Sequence, residues 1–152
     1  STTTETTAAT PASPASTDPL AVKFGSLGAD YDSAKALADG GKFAEAITAL
    51  QALDKPGDPR VLNMLGYSTR KSGKPQDALV FYDKALLLAP EFTGAREYRG
   101  EAYVELKQFD KAKVELGEIE KLCGNKTCEE YADLAAAIKK ADGGSGWFDW
   151  LF

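Results

Sequence analysis

The chain has 152 residues, a length that fits one ordinary domain, with 18 basic and 23 acidic side chains, no histidine and a formal net charge of −5. That balance argues against a general nucleic-acid binder, which needs a basic face to displace counterions. Without histidine there is no Ser–His–Asp or Cys–His arrangement and no imidazole acid–base group near neutral pH, and no apolar run is long enough to cross a bilayer.

Residues 1–19 come first. Apart from Glu5 and Asp18 they are all Ser, Thr, Ala or Pro. Such a segment buries too little apolar area to offset its ordering entropy, so a flexible tether is expected there. It lacks the basic region and apolar core of a signal peptide. Its composition is that of a polar spacer left after a signal is removed, and equally that of a cytosolic linker. The folded domain is expected over residues 20–142.

Within that domain one phrase is written three times: Gly41-Lys42-Phe43-Ala44-Glu45-Ala46-Ile47, Gly73-Lys74-Pro75-Gln76-Asp77-Ala78-Leu79 and Lys107-Gln108-Phe109-Asp110-Lys111-Ala112-Lys113. Ala46 and Ala78 are 32 residues apart, and Ala78 and Ala112 are 34 apart, the same step that carries Gly66 onto Gly100. A period in this range is the mark of a stacked repeat protein. Each repeat reads as two helices. The first pair is expected at about residues 27–39 and 43–53. The second is expected at 59–72 and 75–88. There Val61, Leu62, Leu65 and Tyr67 line one stripe, and Ala78, Leu79, Tyr82, Ala85 and Leu86 recur at spacings of three and four. Pro59 and Pro75 suit first helical turns, Gly73 ends a helix, and Pro90 closes the pair. The third pair is expected at about 91–106 and 109–122. A seventh helix, from 127 or 128 to about 140, would cap the stack with Tyr131, Leu134, Ala135 and Ile138. Gly66 and Ala78 are expected where the two middle helices cross closely.

Cys123 and Cys128 flank the short polar turn Gly124-Asn125-Lys126-Thr127. A bridge across it is sterically plausible and would tie the cap to the third pair. It would also imply an oxidising compartment such as a periplasm. The other reading is two free thiols in a cytoplasmic protein. Two thiols and no histidine leave a tetrahedral metal site unfilled, so neither a metal nor another cofactor is expected. Asn125-Lys126-Thr127 is also a formal glycosylation sequon.

The pattern resembles the tetratricopeptide repeat family. The resemblance rests on Leu65-Gly66-Tyr67, Ala78, Tyr82, Ala85 and Pro90 in the middle repeat. It rests on Gly100, Tyr103, Phe109 and Ala112 in the third, and on Ala34, Leu37, Gly41, Phe43, Ala46 and Leu50 in the first. It implies an all-α fold: a right-handed superhelical stack of three antiparallel helix pairs plus a C-terminal capping helix. In that family the first helix of each pair lines a groove that holds peptides or partner helices. The matching residues are Tyr31, Lys35, Ala38 and Asp39 on the first pair, and Arg60, Asn63, Tyr67, Arg70 and Lys71 on the second. On the third they are Glu97, Tyr98, Glu101, Val104 and Glu105. A groove divided between a basic and an acidic half is expected. Glu97 and Glu101 are the nearest thing to a catalytic carboxylate pair, and their spacing reads as a solvated helix face.

After the glycine-rich joint at 143–146 the chain places Trp147, Phe148, Trp150, Leu151 and Phe152 in its last six residues. These side chains make good anchors in a pocket. Packing on the domain itself, docking on another protein or a neighbouring copy, and an appended peptide are the competing readings, with a membrane-surface role opposed by Asp149 and the acidic body. The functional expectation is a non-catalytic protein- or peptide-binding adaptor in the periplasm or envelope. The alternative is a structural, self-associating protein whose aromatic tail docks in its own or a neighbouring groove as a homo-oligomer.

Overall fold

The computed structural model describes residues 18–143, and those residues contain helices and no strand. The tail residues Trp147, Phe148, Trp150, Leu151 and Phe152 lie outside them, as does most of the expected tether. In chain order the helices are α1 (Pro19–Phe24), α2 (Gly28–Asp39), α3 (Phe43–Ala52), α4 (Pro59–Lys71), α5 (Pro75–Leu88), α6 (Thr93–Glu105), α7 (Phe109–Cys123) and α8 (Glu129–Asp142). The pairs α2–α3, α4–α5 and α6–α7 and the cap α8 are the elements expected from the repeat, each end within about two residues of its expected place.

Local chemistry sets the ends. The Asp58 carboxylate accepts from the Arg60 N–H at 2.9 Å, and Pro59 fills the first helical position, where its missing N–H costs nothing. The turns inside the first two pairs need left-handed backbone, which Gly41 (φ 79°) and Gly73 (φ 91°) supply. In the third pair Lys107 takes that role at φ 59°.

Helix α1 corrects the expected boundary at residue 19. Asp18 accepts from the Leu20 N–H at 3.0 Å and Pro19 opens the helix. This repeats the cap that starts α4, so Pro19 belongs to ordered structure and not to the tether.

Each pair packs mainly on itself. Beyond that, α2 touches α4, α4 touches α6 and α6 touches α8, forming an inner layer. The outer helices α3, α5 and α7 have no comparable contact within their own layer. Helices that meet on one side and splay on the other leave the inner side concave.

The core runs between the layers. Leu50, Tyr82, Leu116, Ile119, Leu134 and Ile138 are essentially sealed from solvent. Each such aliphatic side chain contributes about 1.5–3 kcal/mol. A Cβ on Gly66 would stand 2.6 Å from the Tyr82 ring, so this glycine is where α4 crosses α5. Ala78 packs with Tyr82 but also with Ala102 of α6, so its small size serves the next pair as well as its own. On Gly100 a Cβ would stand 2.6 Å from Leu134 of the cap. Behind the groove, the buried Glu115 of α7 holds both Arg96 and Arg99 of α6, and Arg99 also reaches Asp83 of α5 at 3.1 Å. A buried carboxylate is tolerable only with such pairing.

Cys123, the last residue of α7, is disulfide-bonded to Cys128, the N-cap of α8, with Cα atoms 6.4 Å apart. Closing so small a ring contributes about 2 kcal/mol by loop entropy. Inside it, the Asn125 carboxamide oxygen accepts from the N–H groups of Thr127 and Cys128, both at 2.9 Å. The asparagine of the sequon thus folds the turn that starts α8.

Candidate functional site

The concave face is built on two tyrosines. Tyr67 of α4 and Tyr98 of α6 lie half-buried with ring centroids 5.1 Å apart. Phe43 meets Tyr67 edge-on at 6.2 Å, and Tyr82 backs Tyr98 at 6.4 Å. The Arg70 guanidinium sits 5.7 Å from each of the Tyr67 and Tyr98 ring centres. A cation over an aromatic face is attracted by the ring quadrupole.

Arg70 is also fully engaged at its nitrogens. Nη1 donates to Glu105 at 2.7 Å, Nη2 donates to Glu101 at 3.1 Å, and Nε donates to the Tyr82 hydroxyl at 3.4 Å. Burial works against its charge, but Tyr82, Glu101 and Glu105 more than compensate, so its pKa is raised. The expected division of the groove into basic and acidic halves is therefore corrected. At its centre the two signs neutralise each other, because α4 and α6 stand close enough for arginine to bridge them. Lys71 remains exposed, 5.8 Å above the Tyr67 ring.

Glu97 behaves differently. It is buried, 8 % exposed, and makes no hydrogen bond or ion pair among the described residues. Burial first, then the charges of Glu101, Asp133 and Glu130, push its pKa up to about 8, against the opposing pull of Arg70. Burial raises Glu101 as well. The expectation of a solvated acidic face at Glu97 and Glu101 is thus overturned: α8 packs on α6 and shields this row from water.

Beside these groups lies a cavity of about 680 Å³. Its walls come from α1, the first turns of α2 and α6, Arg60 of α4 and Glu130 of α8. Helix α1 is tied across it. Arg60 donates to the Gly25 carbonyl at 2.7 Å while pairing with Asp58, and the Lys23 ammonium donates to the Leu88 carbonyl at 3.4 Å. Tyr31 projects into the same region, and burial lifts its pKa to about 12 although Arg60 opposes the shift.

Of the residues expected to line the groove, Tyr31, Lys35 and Arg60 border the cavity. Tyr67, Arg70, Lys71, Tyr98, Glu101 and Glu105 form the aromatic and charged centre. Asp39 is an exposed partner of Lys35 at 2.9 Å. Ala38 and Val104 do not face the groove. Ala38 packs in the core with Ala46 and Leu50 of α3, and Val104 packs in the core with α7 and α8. Asn63 is also buried, its side-chain oxygen without a hydrogen-bond partner among the described residues, so it is no open recognition group. Sequence reading missed the contributions of α1, Phe92–Gly94, Glu130 and Asp133. The Asp18-Pro19 capping pair was a legible signal for the first; nothing in the spacing marked the others.

Cys123, Cys128 and Glu130 bring ligand-type atoms within 4.8 Å of one another. Both sulfurs are consumed in the disulfide, so the group offers a metal no thiolate. No described helix is long and apolar enough to cross a membrane.

Residues 70–138 match the family described as tetratricopeptide repeat, whose members generally mediate protein–protein interaction. No curated protein matches the chain.

Proposed function

We propose that this chain, which carries tetratricopeptide repeats over residues 70–138, holds a partner protein or peptide in its concave groove and performs no catalysis of its own. The observation that carries this reading is the Tyr67–Arg70–Tyr98 stack. Two half-buried rings lie 5.1 Å apart on helices of the inner layer, beside a guanidinium held from three directions. A prearranged aromatic surface of this kind binds with little loss of side-chain freedom.

Photo-reactive lysine at Lys71, on the groove, and at Lys84, on the outer helix α5, tests the reading in the native cell. Crosslinks to a partner should form from position 71 and be lost when Tyr67 and Tyr98 are both changed to alanine. Equal crosslinking from position 84 would move the interface to the outer face.

An exported, oxidising location such as a periplasm or envelope belongs to the same proposal, supported by the Cys123–Cys128 bridge. Acid-quenched cells treated with an alkylating reagent should yield protein that takes up two labels only after reduction. Two labels before reduction would return the protein to a reducing compartment.

A further inference from the structure

Helix α1 stands outside the three repeated pairs, and it walls a cavity that those pairs do not make by themselves. Its six residues include none that is buried, and it is tied down by the hydrogen bonds from Arg60 to the Gly25 carbonyl and from Lys23 to the Leu88 carbonyl. Between it and the first turns of α2 and α6 lies the cavity of about 680 Å³, with Glu130 of α8 also in its wall. A space of that size accepts a short stretch of peptide rather than a single side chain.

The apolar part of the wall is anchored. Leu27 and Tyr31 back onto the core shared by α2, α3 and α4, and Phe92 backs onto the core shared by α4, α5 and α6. A Cβ on Gly94 would stand 2.8 Å from the Phe92 ring, so glycine is what lets the ring lie there. Leu20 and Ala21 of α1 add half-buried apolar surface. Side chains fixed by a core behind them lose little freedom when a ligand arrives.

Charge decides what fits. The two cations in the wall are engaged: Arg60 with Asp58 and the Gly25 carbonyl, and Lys35 with Asp39 at 2.9 Å. The acidic Asp32, Glu91 and Glu130 make no ion pair or side-chain hydrogen bond among the described residues. Anchored apolar surface edged by uncompensated negative charge is the complement of a segment in which an aliphatic residue stands beside a basic one.

We propose that the cavity between α1, α2 and α6 receives a short segment of the partner protein, an aliphatic side chain filling the apolar wall and a neighbouring lysine or arginine meeting the acidic edge. The proposal rests on the chain holding a partner protein. It adds a contact on walls that α1 supplies, apart from the Tyr67–Tyr98 centre of the groove. First helical turns also favour anions, so a charge-reversed probe is the deciding control.

The test uses the full chain, its disulfide intact, with N-acetyl-leucyl-lysine amide as probe. N-acetyl-leucyl-glutamate amide reverses the charge, and N-acetyl-seryl-lysine amide removes the apolar side chain. Backbone amide NMR both locates and titrates each one. The expected result is saturable shifts at Gly28, Thr93 and Gly94, with the leucyl-lysine probe binding about tenfold tighter than either control and more weakly as salt rises. Asp32→Lys combined with Glu91→Lys, both at exposed positions, should reverse the preference toward the glutamate probe. Equal binding of the lysine and glutamate probes to the wild type, or a preference for glutamate, would overturn the proposal, and that comparison stands even where a variant folds poorly. A folded double variant with the wild-type preference would overturn it too, as would the absence of saturable shifts at the cavity. Shifts confined to the amides of Tyr67 and Tyr98 would leave the groove reading standing and sink the cavity. If crosslinks from Lys71 fail while the leucyl-lysine probe seats in the cavity as expected, the groove reading falls and the cavity is upheld.

Discussion

The second and third helix pairs, α4–α5 and α6–α7, share a register of 34 residues and yet solve their packing differently. Gly66 lets α4 lie on the Tyr82 ring of its own pair, while its counterpart Gly100 lets α6 lie on Leu134 of the next helix, α8. Arg70 of α4 is buried and satisfied by two carboxylates, a hydroxyl and two rings, whereas Val104, its counterpart on α6, joins an apolar core. Asn63 and Glu97 also share a repeat position, and both are buried without full hydrogen bonding. The turn residue is Gly73 in one pair and Lys107 in the other. A repeat thus conserves where helices lie, and leaves open which side chains pay for the contact.

The largest expected effect is at Arg70. Changing it to alanine removes the bridge between α4 and α6 and leaves Glu101 and Glu105 without their ion-pair partner. A loss of about 2–4 kcal/mol is expected in urea unfolding, below the full cost of breaking a sealed pair because Glu105 is partly exposed. A loss under 0.5 kcal/mol would mean that the bridge is incidental and the second pair needs it no more than the third needs Val104.

The glycines come next. Gly66→Ala should cost about 1–3 kcal/mol, because the Tyr82 ring is sealed in and tethered to Arg70 and cannot turn aside. Gly100→Ala presses on the ends of a leucine side chain, which can change rotamer, and should cost less. Thermal melts of the two variants in parallel measure the difference. The reverse order would show that the cap contact, not the pair contact, is the tighter one.

Glu97 sharpens the contrast through pH. Its folded-state pKa lies near 8, above the ordinary 4.5, so the native state binds the proton more tightly than the unfolded chain does. The stability this confers is present at low pH and is lost as pH rises from about 4.5 through 8. After allowance for solvent at the groove mouth, about 1–2 kcal/mol is the expected size. Glu97→Gln should therefore melt close to the wild type at pH 5 and several degrees above it at pH 9. Parallel melting curves for both proteins at all pH values would remove the buried, uncompensated charge from the comparison.

The smallest effect is at the turns. Lys107 holds a left-handed conformation that costs an L-residue about 1 kcal/mol, part of which glycine returns through unfolded-state entropy. Lys107→Gly should stabilise by about 0.5 kcal/mol, and Gly73→Lys should destabilise by a similar amount, both read from denaturant midpoints. Opposite signs would mean that Lys107 gains more from its side chain than it loses in its backbone.

Much was determined by sequence alone. The 32- and 34-residue spacings, the prolines at first turns and the glycines at left-handed turns specify helices, their order and their antiparallel pairing, because these depend on neighbours in the chain. The short loop between Cys123 and Cys128 made their bridge foreseeable for the same reason. Tertiary structure decided which charges meet. That Arg70 finds Glu101 and Glu105, 31 and 35 residues away, depends on how closely α4 approaches α6. That Glu97 is left buried and uncompensated depends on α8 closing over α6. Helical periodicity places a residue on a face, but its burial and its electrostatic surroundings are set by the helices packed against that face, and those contacts carry no signature in local spacing.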